Sequence, residues 1–282
     1  MQQTDLAMRF DAADFEHHYE RQPFLLGHSL HQHPLFRFES LASLAERLPL
    51  KHIEFNAADG PATPYQEYRP GRDYSGVEAL ECIAECCTWL ELKHIEQIPE
   101  YNALLEELLD ELRPQIERRT PGMYQRRASL FVSSPQSAVP YHIDPQHNFL
   151  LQIRGEKTFT AFDHADRELL PEAVLERFYR ENRCKLELAP RFAARGERIA
   201  LHPGDAMHLP INTPHFVENG DDVSISLSIT YATPWARRRE QVYAINGRLR
   251  SLGLAPTPFG VAAWRDGGKL AALHALRWLG GR

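Results

Sequence analysis

Cysteine is scarce and unpatterned in this chain. Four occur, Cys82, Cys86, Cys87 and Cys184, with no C-x-x-C pair. This excludes a disulfide framework and points to a reducing compartment. Cys82 and Cys86 share a face at helical spacing, and packing explains them better than a soft metal does. No apolar run approaches the ~20 residues of a membrane helix. Asp5, Asp11, Asp14 and Glu16 spoil a signal peptide near the start, so the expected location is cytoplasmic. An excess of basic charge is also missing: 32 Lys and Arg face 38 Asp and Glu, a formal net charge of -6. Nucleic acid is therefore not the expected main partner. Neither a repeat at solenoid periods nor a low-complexity tract occurs.

What is present divides into three zones. Up to about residue 120 the pattern predicts a largely helical cover. "FESLASLAERL" and "SGVEALECIAECCTWLEL" have helical spacing, and Leu104, Leu105, Leu108, Leu109, Leu112 and Ile116 form one stripe. From about 122 to 235, short strand-like segments ("ASLFVSS", "NFLLQI", "KTFTAF", "VSISLSITY") separated by Gly, Pro, Asn and Asp predict a sandwich or barrel core. "DRELLPEAVLERFYREN" predicts one or two helices within it. From 236 to 282 the chain again reads as helical, and Leu270, Leu273, Leu276 and Leu279 form a stripe suited to core cover or a dimer contact. Arg237, Arg238, Arg239, Arg248 and Arg250 read as a solvated helix face.

The stretch "PYHIDPQHNFLLQIRGEK" carries the chemistry. In an extended "YHID", His142 and Asp144 project to one side, because strand side chains alternate. A third metal ligand must come from elsewhere, and His215, opening a strand after "PINTP", is preferred to His208, His147 and His202. His208, alternating with Met207 and Leu209, is left open as an inward contact near the site. Two imidazoles and a carboxylate suit non-haem Fe(II) with open positions, or Zn(II).

"NFLLQI" and "KTFTAF" flank Arg154-Gly155, which predicts a tight hairpin pairing Gln152 with Lys157. That register puts Asn148, Leu150, Gln152, Lys157, Phe159 and Ala161 on one face. A lysine facing a barrel interior needs an anion, which a dicarboxylic cosubstrate would supply. In "VSISLSITY" the apolar residues occupy one face while Ser224, Ser226, Ser228 and Thr230 occupy the other, fitting either a ligand-filled cavity or a solvated sheet face.

These residues resemble the JmjC and cupin-like Fe(II)/2-oxoglutarate oxygenases, most closely the asparaginyl hydroxylase that inhibits hypoxia-inducible factor. The resemblance is carried by H-x-D at 142–144, the following Q-x-N-F and Q-I-x-G, the lysine fifteen residues after His142, and "PGDAMHLPINTPHFVEN". "FEHHYERQPFLL" resembles the family's opening segment. The resemblance implies a mainly β core with helices, a double-stranded β-helix (jelly roll) flanked by N- and C-terminal helices, in an oxygenase domain over 1–235. It implies Fe(II) held by His142, Asp144 and His215, with 2-oxoglutarate contacted by Lys157 and Asn148. Ser228 falls where the hydroxylase has an asparagine near the cosubstrate, and Val139 where it has a threonine. Some relatives form a homodimer through C-terminal helices. The implied activity is hydroxylation of a peptide or protein side chain, or of a small molecule, with release of succinate and CO2. A non-catalytic metal-binding cupin acting as regulator or sensor, or a non-oxidative metallo-enzyme, are the other classes these residues admit.

Overall fold

The computed structural model describes residues 7–57, 69–70, 75–85, 88–181 and 186–280. The N-terminal part contains β1 (Met8–Arg9), α1 (Ala12–His18), β2 (Phe24–His28), α2 (Phe38–Arg47), β3 (Ile53–Ala57), β4 (Arg69–Pro70), α3 (Gly76–Cys82), β5 (Thr88–Lys93) and α4 (Pro99–Ile116). Eight core strands follow: β6 (Tyr124–Ser133), β7 (Ala138–His142), β8 (His147–Arg154), β9 (Lys157–Ala161), β10 (Glu197–Leu201), β11 (Asp205–Leu209), β12 (His215–Asn219) and β13 (Ser224–Ala232). One helix, α5 (Glu172–Arg180), interrupts them, and α6 (Pro234–Ser251) and α7 (Ala263–Gly280) close the chain.

The strands form a nine-stranded sheet in the order β1-β2-β11-β8-β13-β6-β5-β3-β4 and a four-stranded sheet in the order β10-β9-β12-β7. Every pairing is antiparallel. The core strands pass back and forth between the sheets, the jelly-roll arrangement expected from the sequence, although the sheets do not close into a barrel.

Three apolar clusters follow from the alternation. Ile225, Leu227, Ile229 and Tyr231 of β13 face the outer side of the large sheet, where the leucine stripe of α4 covers them. Fully burying such a leucine contributes about 1.5–3 kcal/mol, so this stripe is a major anchor of the cover. Pro99 starts α4 without losing a needed N–H donor. Phe162 and Phe216, beyond the small sheet, pack with Leu175 and Phe178 of α5. Between the sheets lie Leu150, Met207 and Leu209 from one side and Phe159, Ala161, Leu201 and Val217 from the other.

Several elements depart from the sequence expectation. Among the described residues, the zone before 120 supplies five strands as well as four helices, and β5 and β3 extend the large sheet past β6. Helical spacing across "SGVEALECIAECCTWLEL" holds only for Gly76–Cys82, while Thr88–Lys93 is strand. Trp89 and Glu91 there alternate with the fully buried Leu90 and Leu92. Cys86, Cys87 and Cys184 lie outside the described residues. The basic run is not a wholly solvated face: Arg239 is buried and Arg250 pairs with the buried carboxylate of Glu176. Leu270 and Leu273 are half-buried and join none of the buried clusters; the side chains of Leu276 and Leu279 lie outside the described residues.

The expected hairpin between β8 and β9 is absent. β8 pairs with β11 and β13, whereas β9 pairs with β10 and β12, so 154–156 is a crossing between sheets. The crossing needs Gly155, whose φ is +67° and whose added Cβ would lie 2.7 Å from the Val223 carbonyl oxygen. Gly155→Ala is expected to cost about 1–3 kcal/mol, read as a lower urea midpoint with an unchanged slope.

Candidate metal and anion site

His142, Asp144 and His215 converge. Their ligand atoms all lie within 4.8 Å of one another, and this is the one such cluster of three among the described residues. Strand pairing achieves this: His215 at the start of β12 lies opposite His142 at the end of β7 and beside Ala161 of β9. The ring centroids of the two histidines are 4.2 Å apart. β7 carries a bulge between these pairs, since His215 faces His142 while Val217 faces Val139. That extra residue lets Val139 and His142, an odd number of positions apart, both line the cavity. Pro140, with no N–H to offer the ladder, lies in the bulged stretch.

Each imidazole is fixed by a backbone carbonyl two residues earlier. His142 Nδ1 donates to the Pro140 oxygen at 2.7 Å, and His215 Nδ1 to the Thr213 oxygen at 2.9 Å. A carbonyl only accepts, so both rings carry hydrogen on Nδ1 and turn the Nε2 lone pair toward the shared point. His142 Nε2 lies 3.9 Å from Asp144 Oδ1. Burial, followed by the neighbouring His142, pushes His215 down to about 4, so its neutral, ligating form prevails at neutral pH. The donor set fits a first-row divalent ion with further positions left open.

Asp144 is braced from behind. Asn148 Nδ2 donates to its Oδ2 at 3.3 Å, and Ser228 Oγ donates to Asn148 Oδ1 at 2.9 Å. Asn148 and Ser228 thus sit together against Asp144, and both line the cavity. Ser224 and Ser226 instead bond the buried Gln152, which does not line the cavity. The polar face of β13 is thus interior throughout.

The cavity has a volume of about 1060 Å³ and takes its walls from both sheets. Lys157, Leu150 and Phe159 line it, as the sequence expectation had it, despite the wrong hairpin. Lys157 is 6% exposed and has no hydrogen-bond or ion-pair partner among the described residues. Burial alone lowers its ammonium from 10.5 to about 7. The sign follows: between pH 7 and 10.5 the unfolded chain binds the proton that the native state does not, so this group makes stability rise with pH over that window. A bound anion would restore the charge.

The rival histidines lie elsewhere. His208 does not point inward; it is fully buried on the opposite face of the large sheet, bonding the Asn148 carbonyl and Glu20. Met207 and Leu209 take the inward positions instead. His147 bonds Glu20 and Thr233 there, and His202 is exposed beside Glu156. The sequence reading misses the cavity residues of β5, among them Trp89, Lys93 and Glu91, whose carboxyl is pushed up by burial and pairs with Lys93 at 3.6 Å. The alternation in "TWLEL" was the signal.

A profile of the family described as a cupin-like domain matches residues 94–236, half of the chain, and includes every ligand and cavity residue named above from β6 to β13. Comparison with curated proteins finds no match. Among solved structures, Escherichia coli ycfD superimposes with a TM-score of 0.53 at 18% identity, covering 96% of this chain and 68% of that one. The ribosomal oxygenase YcfD of E. coli, in complex with cobalt and 2-oxoglutarate, gives 0.52 at 16% identity, covering 97% and 68%. At such identities the likeness is one of fold. The matched profile, spanning half of the sequence and the strands β6 to β13, makes this chain a member of the cupin-like domain family.

Proposed function

We propose that the protein is an Fe(II)/2-oxoglutarate-dependent oxygenase of the hydroxylase type. The observation that carries this reading is Lys157: a buried ammonium without an acid, in the same cavity as a two-histidine, one-carboxylate cluster. A zinc hydrolase needs the cluster but has no use for such a lysine. The spacing also suits a five-carbon diacid. Lys157 starts β9 four residues before Ala161, the neighbour of His215, which is about 13 Å of strand at roughly 3.3 Å per residue. The lysine stem and the diacid together bridge that span. The cobalt and 2-oxoglutarate complex of YcfD, a protein of the same fold, supports the choice.

His142 Nε2, His215 Nε2 and Asp144 would hold the metal, with Asn148 and Ser228 fixing the carboxylate and flanking the cosubstrate. When bound, iron and 2-oxoglutarate supply the oxidising chemistry: O2 and the diacid yield succinate, CO2 and one oxygen atom for the substrate. Lys157 would neutralise and orient the distal carboxylate. Leu150, Phe159, Val139 and Val217 keep water from the space between them. The likeness to the asparaginyl hydroxylase is proposed for the metal and cosubstrate groups, and the substrate is taken to be a protein side chain or a small molecule. Residues 1–235 are read as one oxygenase domain in the cytoplasm, consistent with the absence among the described residues of a helix long and apolar enough to cross a membrane. The exposed Leu252, Leu254, Val261 and Trp264 support a self-association contact on the C-terminal segment.

Succinate formation from 2-oxoglutarate is expected in the wild-type protein and none in His142→Ala, Asp144→Ala or His215→Ala; turnover persisting in these variants would remove the proposal. Lys157→Ala is expected to raise the 2-oxoglutarate KM by about 30-fold or more, the equivalent of about 2 kcal/mol for a lost buried charge pair, with a smaller change in kcat. Because a bound carboxylate raises the lysine pKa from about 7, binding takes up a proton. Anaerobic calorimetry should therefore show affinity falling about tenfold per pH unit above pH 7, and a flat profile would assign Lys157 another role.

A further inference from the structure

The turn 210–213 serves both halves of the metal centre. The Asn212 N–H donates to the Asp144 carbonyl at 2.9 Å, and the Thr213 carbonyl holds the His215 ring. Asn212 adopts a left-handed φ of +66°, a conformation that asparagine tolerates in turns. The residue before it is held from both sides. Glu20, just past the end of α1, accepts the Ile211 N–H at 3.3 Å, and Arg239 on α6 donates to the Ile211 carbonyl at 3.3 Å.

Both charges are removed from water. The Glu20 side chain is 6% exposed and Arg239 is 7% exposed. Neither residue lines the cavity. Glu20 itself sits at φ +58°; its carboxylate accepts from His147 Nδ1 at 2.7 Å, and its N–H donates to His208 Nε2 at 3.4 Å. Burial disfavours its charge, but the two neighbouring histidines, His147 foremost, outweigh that and keep the carboxyl below the ordinary range. Arg239 lies over the rings of Trp235 and Tyr243. A second route leads the same way, since His208 also donates to the carbonyl of Asn148, the residue that braces Asp144.

We propose that Glu20 and Arg239 are positioning residues of the metal centre, clamping the N–H and the C=O of Ile211 with opposite charges so that Asp144 and His215 face one ion. The proposal rests on the reading of His142, Asp144 and His215 as metal ligands. A purely structural role would change stability and leave the metal untouched, so cobalt(II) is the probe. Tyr231→Phe is the control: it breaks the 2.7 Å bond to Tyr19 in the same buried cluster without touching Ile211.

Cobalt affinity is measured by calorimetry and the ligand field by visible absorption, on variants shown to be folded by circular dichroism. Glu20→Gln and Arg239→Met are expected to weaken cobalt binding by about 10–100-fold, as losses behind a metal ligand do, and to shift the visible bands. Tyr231→Phe should lower the urea midpoint and keep wild-type affinity. Either clamp variant carries the test if the other fails to fold. Wild-type affinity and spectrum in a folded clamp variant, or equal weakening in the control, would overturn the clamp alone. A wild-type protein that binds no cobalt would overturn the metal reading together with it.

Discussion

Pairing of β12 with β7 sets His215 opposite His142, and because strand side chains alternate, a slip of one residue would turn one ring out of the cavity. The rest of the site is arranged around that register. The two rings come from positions far apart in sequence, so only the completed two-sheet fold brings them together. The bulge in β7 then sets Val139 and His142 on the same side and places the Pro140 carbonyl where the ring can use it. Backbone geometry thus orients the imidazoles, and the side chains behind them refine it.

Much of this could be read from the residues. The strict alternation of β13 and the leucine stripe of α4 each express one period and appear in the structure as read; His142 and Asp144 converge too, although β7 ends at His142 and Asp144 lies beyond the strand that the spacing assumed. Lys157 was placed inward on a wrong pairing. Gly155 does not turn a hairpin; it carries the chain to the facing sheet, and both sheets look into the same space, so the inward assignment survived. His208 failed for a complementary reason. Its neighbours Met207 and Leu209 are the inward residues, and nothing in "AMHLP" reveals that the opposite face holds a buried carboxylate, because Glu20 arrives from the start of the chain. The strands before residue 120 were hidden by length: β2, β3 and β5 span five or six residues each, too few to override helical spacing in their flanks.

The two buried polar groupings divide their labour across the large sheet. On the inner face, Ser228, Asn148 and Asp144 form a chain of hydrogen bonds ending in the cluster that Asp144 makes with His142 and His215. On the outer face, Tyr19, Tyr231, Thr120, Glu20, His147 and His208 bond one another. His147 and Asn148, adjacent on β8, point to opposite faces and join the two groupings through one backbone unit. A polar network of this kind fixes geometry when every member has a partner, and it ties the N-terminal helix to strands that follow it by more than a hundred residues.

The nine-stranded sheet outgrows its four-stranded partner, and β5 lies in that overhang with Trp89, Glu91 and Lys93 facing the cavity. Both edges of β5 are already taken, by β3 on one side and β6 on the other. A polypeptide guest crossing this ledge therefore finds no open main-chain edge with which to zip up as an additional strand. The groups that such a guest would meet there are an indole, a carboxyl and an amine, carried on a strand whose ladder is already complete.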